Sequence, residues 1–303
     1  MRFALDIGGT SIKCAVVSDD GAVVRAGDFP TRASTDTQEF ALALLEGAID
    51  FIKQGDEKIS FVGAGMAGFV DGMRGIVYES PNLPGVRNLP LADILSKELG
   101  IPAFVDNDAT AAAWGEYLFG GHVGISDMLV VTLGTGIGGG LVLGGKLYRG
   151  SRGFAGEVGQ IPLDPNGPPC PGGGKGCLEH YIGKAGLIED YRIRANPAST
   201  VEPDEIHIRA DAGDNAALDA WKAYGTRLGV VLAGISNLLD LGVIILTGGI
   251  TGAWKNFEPA LRGSYNEYLI TPHKNRIPVR ISSLKGRAGI LGAAFLDKAR
   301  ESA

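Results

Sequence analysis

One device, used twice, constrains this chain most: an apolar strand that runs into a glycine turn and comes back as a second strand. Leu5-Asp6-Ile7-Gly8-Gly9-Thr10 precedes the strand-like stretch Ile12–Val17, and Val131-Thr132-Leu133-Gly134-Thr135-Gly136 precedes Gly140–Leu143. Each time a further glycine-containing turn leads to a third strand, Ala22–Ala26 in the first copy and Lys146–Tyr148 in the second. Both copies read as antiparallel meanders. A chain of 303 residues is longer than one ordinary core needs. The expectation is therefore an α/β protein of two similar lobes, each opening with a β-meander in a mixed sheet flanked by helices. The break falls near 117–127. It gives an N-terminal lobe of residues 1–117 and a C-terminal lobe of residues 118–303, whose last helix packs back on the first lobe.

The rest of the pattern is coarser. Helical spacing runs over 37–54, 91–99, 109–117, 216–239 and 288–300. Buried strands are expected at 61–65, 103–105, 243–246 and 277–282. Residues 162–176 are dense in proline and glycine and should be irregular.

The chain has 47 glycines, about twice the usual ~7% share, and they cluster beside apolar strands. Glycine lets a backbone approach a ligand closely, and successive N–H groups can hold phosphate oxygens. Three loops qualify, each directly after a strand. They are Asp6–Lys13, with Gly8, Gly9 and Thr10; Gly134-Thr135-Gly136-Ile137-Gly138; and Gly248-Gly249. The run Gly134–Gly139 also matches G-x-G-x-x-G, but a dinucleotide site needs a helix after that turn, and a strand and another turn follow here. No G-x-x-x-x-G-K-[ST] loop is present.

Taken in order, these motifs resemble the actin-like ATPase and sugar kinase superfold, a ribonuclease H-like architecture. Asp6–Thr10 is similar to its first phosphate motif, Gly134–Gly138 to its second and Gly248-Gly249 to its adenosine motif. Gly153-Phe154-Ala155-Gly156-Glu157-Val158-Gly159, with Cys170 and Gly176-Cys177-Leu178-Glu179, resembles the signature of the ROK family within that superfold. The resemblance implies an ATP- and Mg²⁺-dependent sugar kinase that forms homodimers. It makes Asp108 of Asp106-Asn107-Asp108 the catalytic base and Gly68, Asn82, Asn107, Glu157 and Glu179 sugar contacts. Asp6 would lie near magnesium, and Thr10, Thr135, Gly136 and Gly249 near the nucleotide. Lys13 could face the phosphates.

The chain departs from the family pattern in one loop. A structural zinc in many members is held by E-x-G-H and C-x-C-G-x-x-G-C; here Gln160 replaces the histidine and Gly172 the middle cysteine. Two ligands of four remain, Cys170 and Cys177, and structural zinc wants four N/S donors, so no zinc is expected. Gln160, as an amide donor and acceptor, or a neighbour would take over the histidine's sugar contact. Ala67 and Leu241 stand where prolines are common and remove no polar ligand.

The chemistry agrees. A sugar hydroxyl is far less acidic than a carboxylic acid, so Asp108 would orient it and take its proton late in phosphoryl transfer. Plainer roles exist for each residue. Asp108 could be the N-cap of the helix that follows, Glu157 a surface acid, Asn82 a turn former and His180 a surface or packing residue. The leading expectation is phosphorylation of glucose to glucose 6-phosphate. The alternatives are an N-acetylglucosamine or N-acetylmannosamine kinase, a polyphosphate or other nucleotide donor, and a non-catalytic sugar sensor. Retention of Asp108 and all three loops argues against the sensor.

The net charge of −6, with no basic stripe, argues against nucleic acid as partner. No apolar run approaches the ~20 residues of a membrane span. The chain opens on strand-like Arg2-Phe3-Ala4-Leu5, so no leader is expected, nor a DNA-binding domain ahead of the kinase-like part. Three cysteines, Cys14, Cys170 and Cys177, are too few for a disulfide framework and suit a reducing, cytoplasmic setting.

Overall fold

The computed structural model describes residues 1–170, 172–196 and 201–301. The chain opens with β1 (Arg2–Ile7), β2 (Ser11–Val17) and β3 (Val23–Pro30), each antiparallel to the one before. Helix α1 (Thr37–Lys53) starts where Asp36 accepts from the Gln38 and Glu39 N–H groups. Its apolar stripe of Phe40, Leu44, Ala48 and Phe51 is buried. Then come β4 (Phe61–Met66), the short strands β5 (Phe69–Asp71), β6 (Ile76–Ser80) and β7 (Leu83–Leu89), α2 (Leu91–Leu99), β8 (Ala103–Asn107) and α3 (Asp108–Phe119). β4 pairs in parallel with β1 and β8, giving a five-stranded sheet in the order β3-β2-β1-β4-β8. β5-β6-β7 form an antiparallel sheet of their own, which the sequence reading did not anticipate.

The second meander is β9 (Met128–Leu133), β10 (Ile137–Leu143) and β11 (Lys146–Tyr148). Four helices follow, α4 (Leu178–Ile182), α5 (Lys184–Ala195), α6 (Pro203–Asp211) and α7 (Asn215–Leu239). Next are β12 (Val243–Thr247), α8 (Trp254–Tyr268) and β13 (Val279–Ile281). Their sheet has the order β11-β10-β9-β12-β13, with β12 and β13 parallel. Position for position this is the order of the first sheet, so the duplication extends through all five strands and the expected α/β class holds. α7 ends on Asp240 in the left-handed conformation, and Leu241 is buried directly after it.

The final helical pattern is two helices, α9 (Ala288–Ala294) and α10 (Leu296–Glu301), where one was expected. The break at Phe295 frees its carbonyl, which accepts the indole N–H of Trp114 at 2.8 Å.

Contacts divide the chain into two compact units. One holds residues 1–130, 140–156 and the C-terminal segment from Ser282; the other holds 131–139 and 157–281. In the first unit α3 is buried from Ala109 to Glu116, because small residues let helices come close. A Cβ at Gly292 of α9 would collide with the Ala111 carbonyl, and one at Gly115 with that of Ala288. Gly65 of β4 likewise lies against Asp108, whose Cα would be 3.3 Å from a Cβ there. Among the described residues no helix is long and apolar enough to cross a membrane.

Candidate active site

In the first unit the parallel strands β1, β4 and β8 deliver their C-terminal ends side by side. β1 runs into Asp6 and the first glycine loop, β4 into Ala67-Gly68, and β8 into Asn107 and Asp108. Asn107, and not Asp108, is the N-cap of α3: its Oδ1 accepts from the Ala109 and Thr110 N–H groups at 2.9 and 3.1 Å. Its Nδ2 donates to the Gly68 carbonyl at 3.1 Å. Asp108 is thus the first helical residue, with Oδ1 accepting from Ala109 N–H at 2.9 Å. Burial pushes the Asp108 carboxyl up to about 6, and the nearby charge of Asp6 adds to that. Burial also raises Asp6, against the pull of Lys13, its cross-strand partner on the same sheet face.

The first loop is closed by its neighbours. Gly8 N–H donates to the Ser11 carbonyl at 3.2 Å, the Thr31 hydroxyl donates to the Gly8 carbonyl at 2.7 Å, and Thr31 N–H donates to the Thr10 carbonyl at 3.0 Å. Asn82, exposed in the β6–β7 turn, packs on Gly9, where an added Cβ would stand 3.0 Å from Asn82 Cβ. Gly68 has φ +134° and a Cβ there would meet the Glu79 carbonyl, so the position requires glycine. The first unit therefore gathers Asp6, Gly8, Gly9, Thr10, Lys13, Gly68, Asn82, Asn107 and Asp108 at one end of its sheet.

In the second unit Gly134 N–H donates to the Gly136 carbonyl at 3.1 Å and Gly138 N–H to the Thr132 hydroxyl at 3.2 Å. Ile137 N–H donates to Glu179 Oε2 at 2.8 Å, and the Thr135 carbonyl accepts from Lys184 N–H at 3.1 Å. A Cβ at Gly136 would run into that Glu179 carboxylate. Gln160 Nε2 reaches the other oxygen of Glu179 at 3.5 Å, while Gln160 Oε1 is buried without a hydrogen-bond partner. Glu157 lies three residues ahead, exposed, and its carbonyl accepts from Gln160 N–H at 3.1 Å. Gly248 has φ +98° and backs onto the Leu133 carbonyl, which places Gly248-Gly249 beside the end of β9. A pocket next to it is lined by Gly249, Ile250, Pro203, Asp204, His207 and Trp221. His180 is exposed, edge-on to Tyr181.

The loop of residues 162–177 corrects the expectation about cysteines. Cys170 and Cys177 are joined in a disulfide across seven residues, with Cα atoms 6.2 Å apart; Cys14 is free and buried. The cysteine count argued against a framework of bridges, but it says nothing about a local staple in a tight turn. Zinc does not fit this loop: its two sulfurs are bonded to each other, and Gly172 lies against the Gln160 amide, where any side chain would collide. Among the described residues no three His, Cys, Asp or Glu side chains group as a metal site.

The ROK family profile matches residues 2–300. The chain belongs to the ROK family. A glucokinase of Streptomyces coelicolor is 33% identical over 99% of this chain and 98% of its own. An N-acetylmannosamine kinase of Yersinia pseudotuberculosis is 30% identical, with 98% of each chain covered. A crystal structure of a ROK glucokinase from Streptomyces griseus, in complex with glucose and AMPPNP, superposes with a TM-score of 0.84 at 33% identity, covering 99% of both chains. The chain thus has the ROK sugar kinase fold. Sequence reading missed one buried ion pair beside these residues: Arg149 Nε lies 2.7 Å from Asp106 Oδ2. No spacing rule links positions 43 apart, and Arg149 follows a three-residue strand that reads as an ordinary turn exit.

Proposed function

We propose that this ROK protein transfers the γ-phosphoryl group of ATP to a hexose, with glucose as first substrate and O6 as acceptor. The observation that carries the reading is Asp108, a half-buried carboxylate at the β8–α3 junction held near pKa 6 by burial and by Asp6. At neutral pH it is ionised and basic enough to orient a sugar hydroxyl and accept its proton as the phosphoryl group leaves ADP. Because Asn107 caps the helix, Asp108 is free of that task. Gly68, Asn82 and Asn107 in the first unit and Glu157, Gln160 and Glu179 in the second would contact the sugar hydroxyls. The buried, unpartnered Gln160 Oε1 supports a role as acceptor from one of them.

Gly8, Gly9, Thr10 and Lys13, with Gly134, Thr135, Gly136 and Gly138, would face the phosphates, and Gly248 and Gly249 the adenosine. The pocket beside Gly249 supports the last assignment. Magnesium suits Asp6: its carboxylate is a hard oxygen donor, its charge raises the proton affinity of Asp108, and a dication held there would relieve that repulsion and leave Asp108 as the base. Bound there, it would neutralise charge on the phosphates. A cytoplasmic homodimer is part of the proposal. The second reading, an acetamido-sugar kinase, is favoured by the similarity to the Yersinia enzyme.

The test is ADP release with Mg-ATP across a panel of hexoses and acetamido sugars, with polyphosphate as the alternative donor. Wild type should turn over glucose fastest and Asp108→Asn should lose roughly 10²–10⁴-fold in kcat. Preference for an acetamido sugar would select the second reading, and full activity of Asp108→Asn would remove the mechanism.

A further inference from the structure

Asp106, Asn107 and Asp108 are consecutive, and each side chain has a different anchor. Asn107 is tied to Gly68 and to the first turn of α3. Asp108 is tied to Ala109 N–H beside it. Asp106 faces the other way, into the first unit, and meets Arg149. The guanidinium Nε lies 2.7 Å from Oδ2, with the two side chains 6% and 2% exposed. The remaining oxygen, Oδ1, accepts Asn107 N–H at 2.9 Å. Gly72 presses flat on this carboxylate, since a Cβ there would come within 2.5–2.6 Å of all three carboxyl atoms. The carboxylate of Asp106 therefore has almost no freedom.

Arg149 is held at its backbone as well. Its carbonyl accepts from Ala155 N–H at 2.9 Å, closing the turn of residues 150–156 that leads directly into Glu157. That turn also rests on Asp71, which a Cβ at Gly153 would meet at 3.3 Å. A single arginine thus grips the strand that ends in Asn107 and Asp108 with its side chain, and the turn ahead of Glu157 with its main chain.

Replacing a buried ion pair by apolar groups is often neutral for stability, so stability alone does not explain this one. We infer that Arg149 is a positioning residue for phosphoryl transfer: through Asp106 it fixes the direction of the Asn107-Asp108 corner and, through the turn of residues 150–156, the start of the segment carrying Glu157. The inference rests on Asp108 being the base. Displacement of a reacting group by about 1 Å costs on the order of 100-fold in rate, so the pair acts on kcat.

The experiment compares wild type with Arg149→Lys, Arg149→Met, Asp106→Asn and the double variant Asp106→Asn/Arg149→Met, which leaves no unpaired buried charge. Turnover is measured on the best wild-type sugar, alongside thermal melting and hydrogen exchange of the 103–112 peptide. Arg149→Met and the double variant should lose about 100-fold in kcat with the KM for ATP unchanged. Arg149→Lys should recover part of the loss. Exchange at 103–112 should quicken in both Met variants. Should Arg149→Met not fold, the double and Lys variants carry the comparison. A double variant that melts like wild type and also turns over like wild type overturns the inference, as does unchanged exchange at 103–112. The exchange readout needs no turnover. An inactive wild type would therefore defeat the kinase reading while leaving the positioning role tested on its own.

Discussion

The two glycine loops come from one device, yet they use their amides differently. In the first, the backbone bonds close the loop on itself and on Thr31, and the acids stand behind it at strand ends, as Asp6 and Asp108. In the second, a carboxylate sits on the loop: Glu179 takes the Ile137 N–H, and Gly136 is glycine because that carboxylate fills the space of a side chain. The same turn serves once as a rim below two crowded acids and once as the socket that aims an acid. Counting glycine turns therefore overstates how many amides are left for phosphate.

The largest effect that would break this contrast is at Asp108. Asp108→Asn should lose roughly 10²–10⁴-fold in kcat, as for removal of a general base, measured by coupled ADP release. It should also gain stability. The folded carboxyl has its pKa raised from 3.8 to about 6, so the wild type loses stability as pH rises through that window. The asparagine variant escapes this loss and should be more stable by at most roughly 3 kcal/mol above pH 6, less because the residue keeps some water contact, with no gain left near pH 4. Denaturant melts at the two pH values check the sign. Loss of both activity and stability would mean that the residue is a structural cap after all.

Next in size is the acid limb of wild-type kcat. It should fall about tenfold per pH unit below about 6 as Asp108 takes up its proton, and a limb that persists in Asp6→Asn but moves to lower pH would confirm the coupling.

Smaller still is the loop contrast itself. Gly136→Ala should displace Glu179 and raise the sugar KM about tenfold, the cost of one charge-assisted hydrogen bond. Gly9→Ala meets Asn82 at 3.0 Å, where a few tenths of an ångström of movement suffice, and should cost less than about threefold. Equal effects, or an effect of Gly136→Ala on the ATP KM alone, would erase the distinction.

The disulfide should matter least to turnover. Opening Cys170–Cys177 with dithiothreitol releases a closed loop worth about 2 kcal/mol in chain entropy. The melting of the second unit should fall accordingly while kcat at room temperature holds.

What could be read from sequence follows the physics of each element. The meanders were legible because strand, glycine and strand leave a local signature, and the alanine run of 109–113 marked α3. The sheet β5-β6-β7 was not. Its strands are short, carry register shifts and mix polar with apolar residues, so Asn82 looked like a plain turn former. Asp108 stood out in the sequence, but its plainer reading as the helix cap was off by one residue: Asn107 and Asp108 are both good caps, and it is Asn107 Oδ1 that takes the Ala109 and Thr110 N–H groups. Arg149 and the Cys170–Cys177 bridge depend on long-range or loop geometry that periodicity does not carry.

The return of α9 to the first unit has a consequence for synthesis. On the ribosome the N-terminal sheet and α3 emerge early, but the helix that seats Gly292 against Ala111 is made only after the whole second unit. Until then the small-residue face of α3 has no cover and is open to wrong partners. This order of events makes residues 288–294 a late-arriving latch, the piece that closes over α3 only when nearly the whole chain has been made.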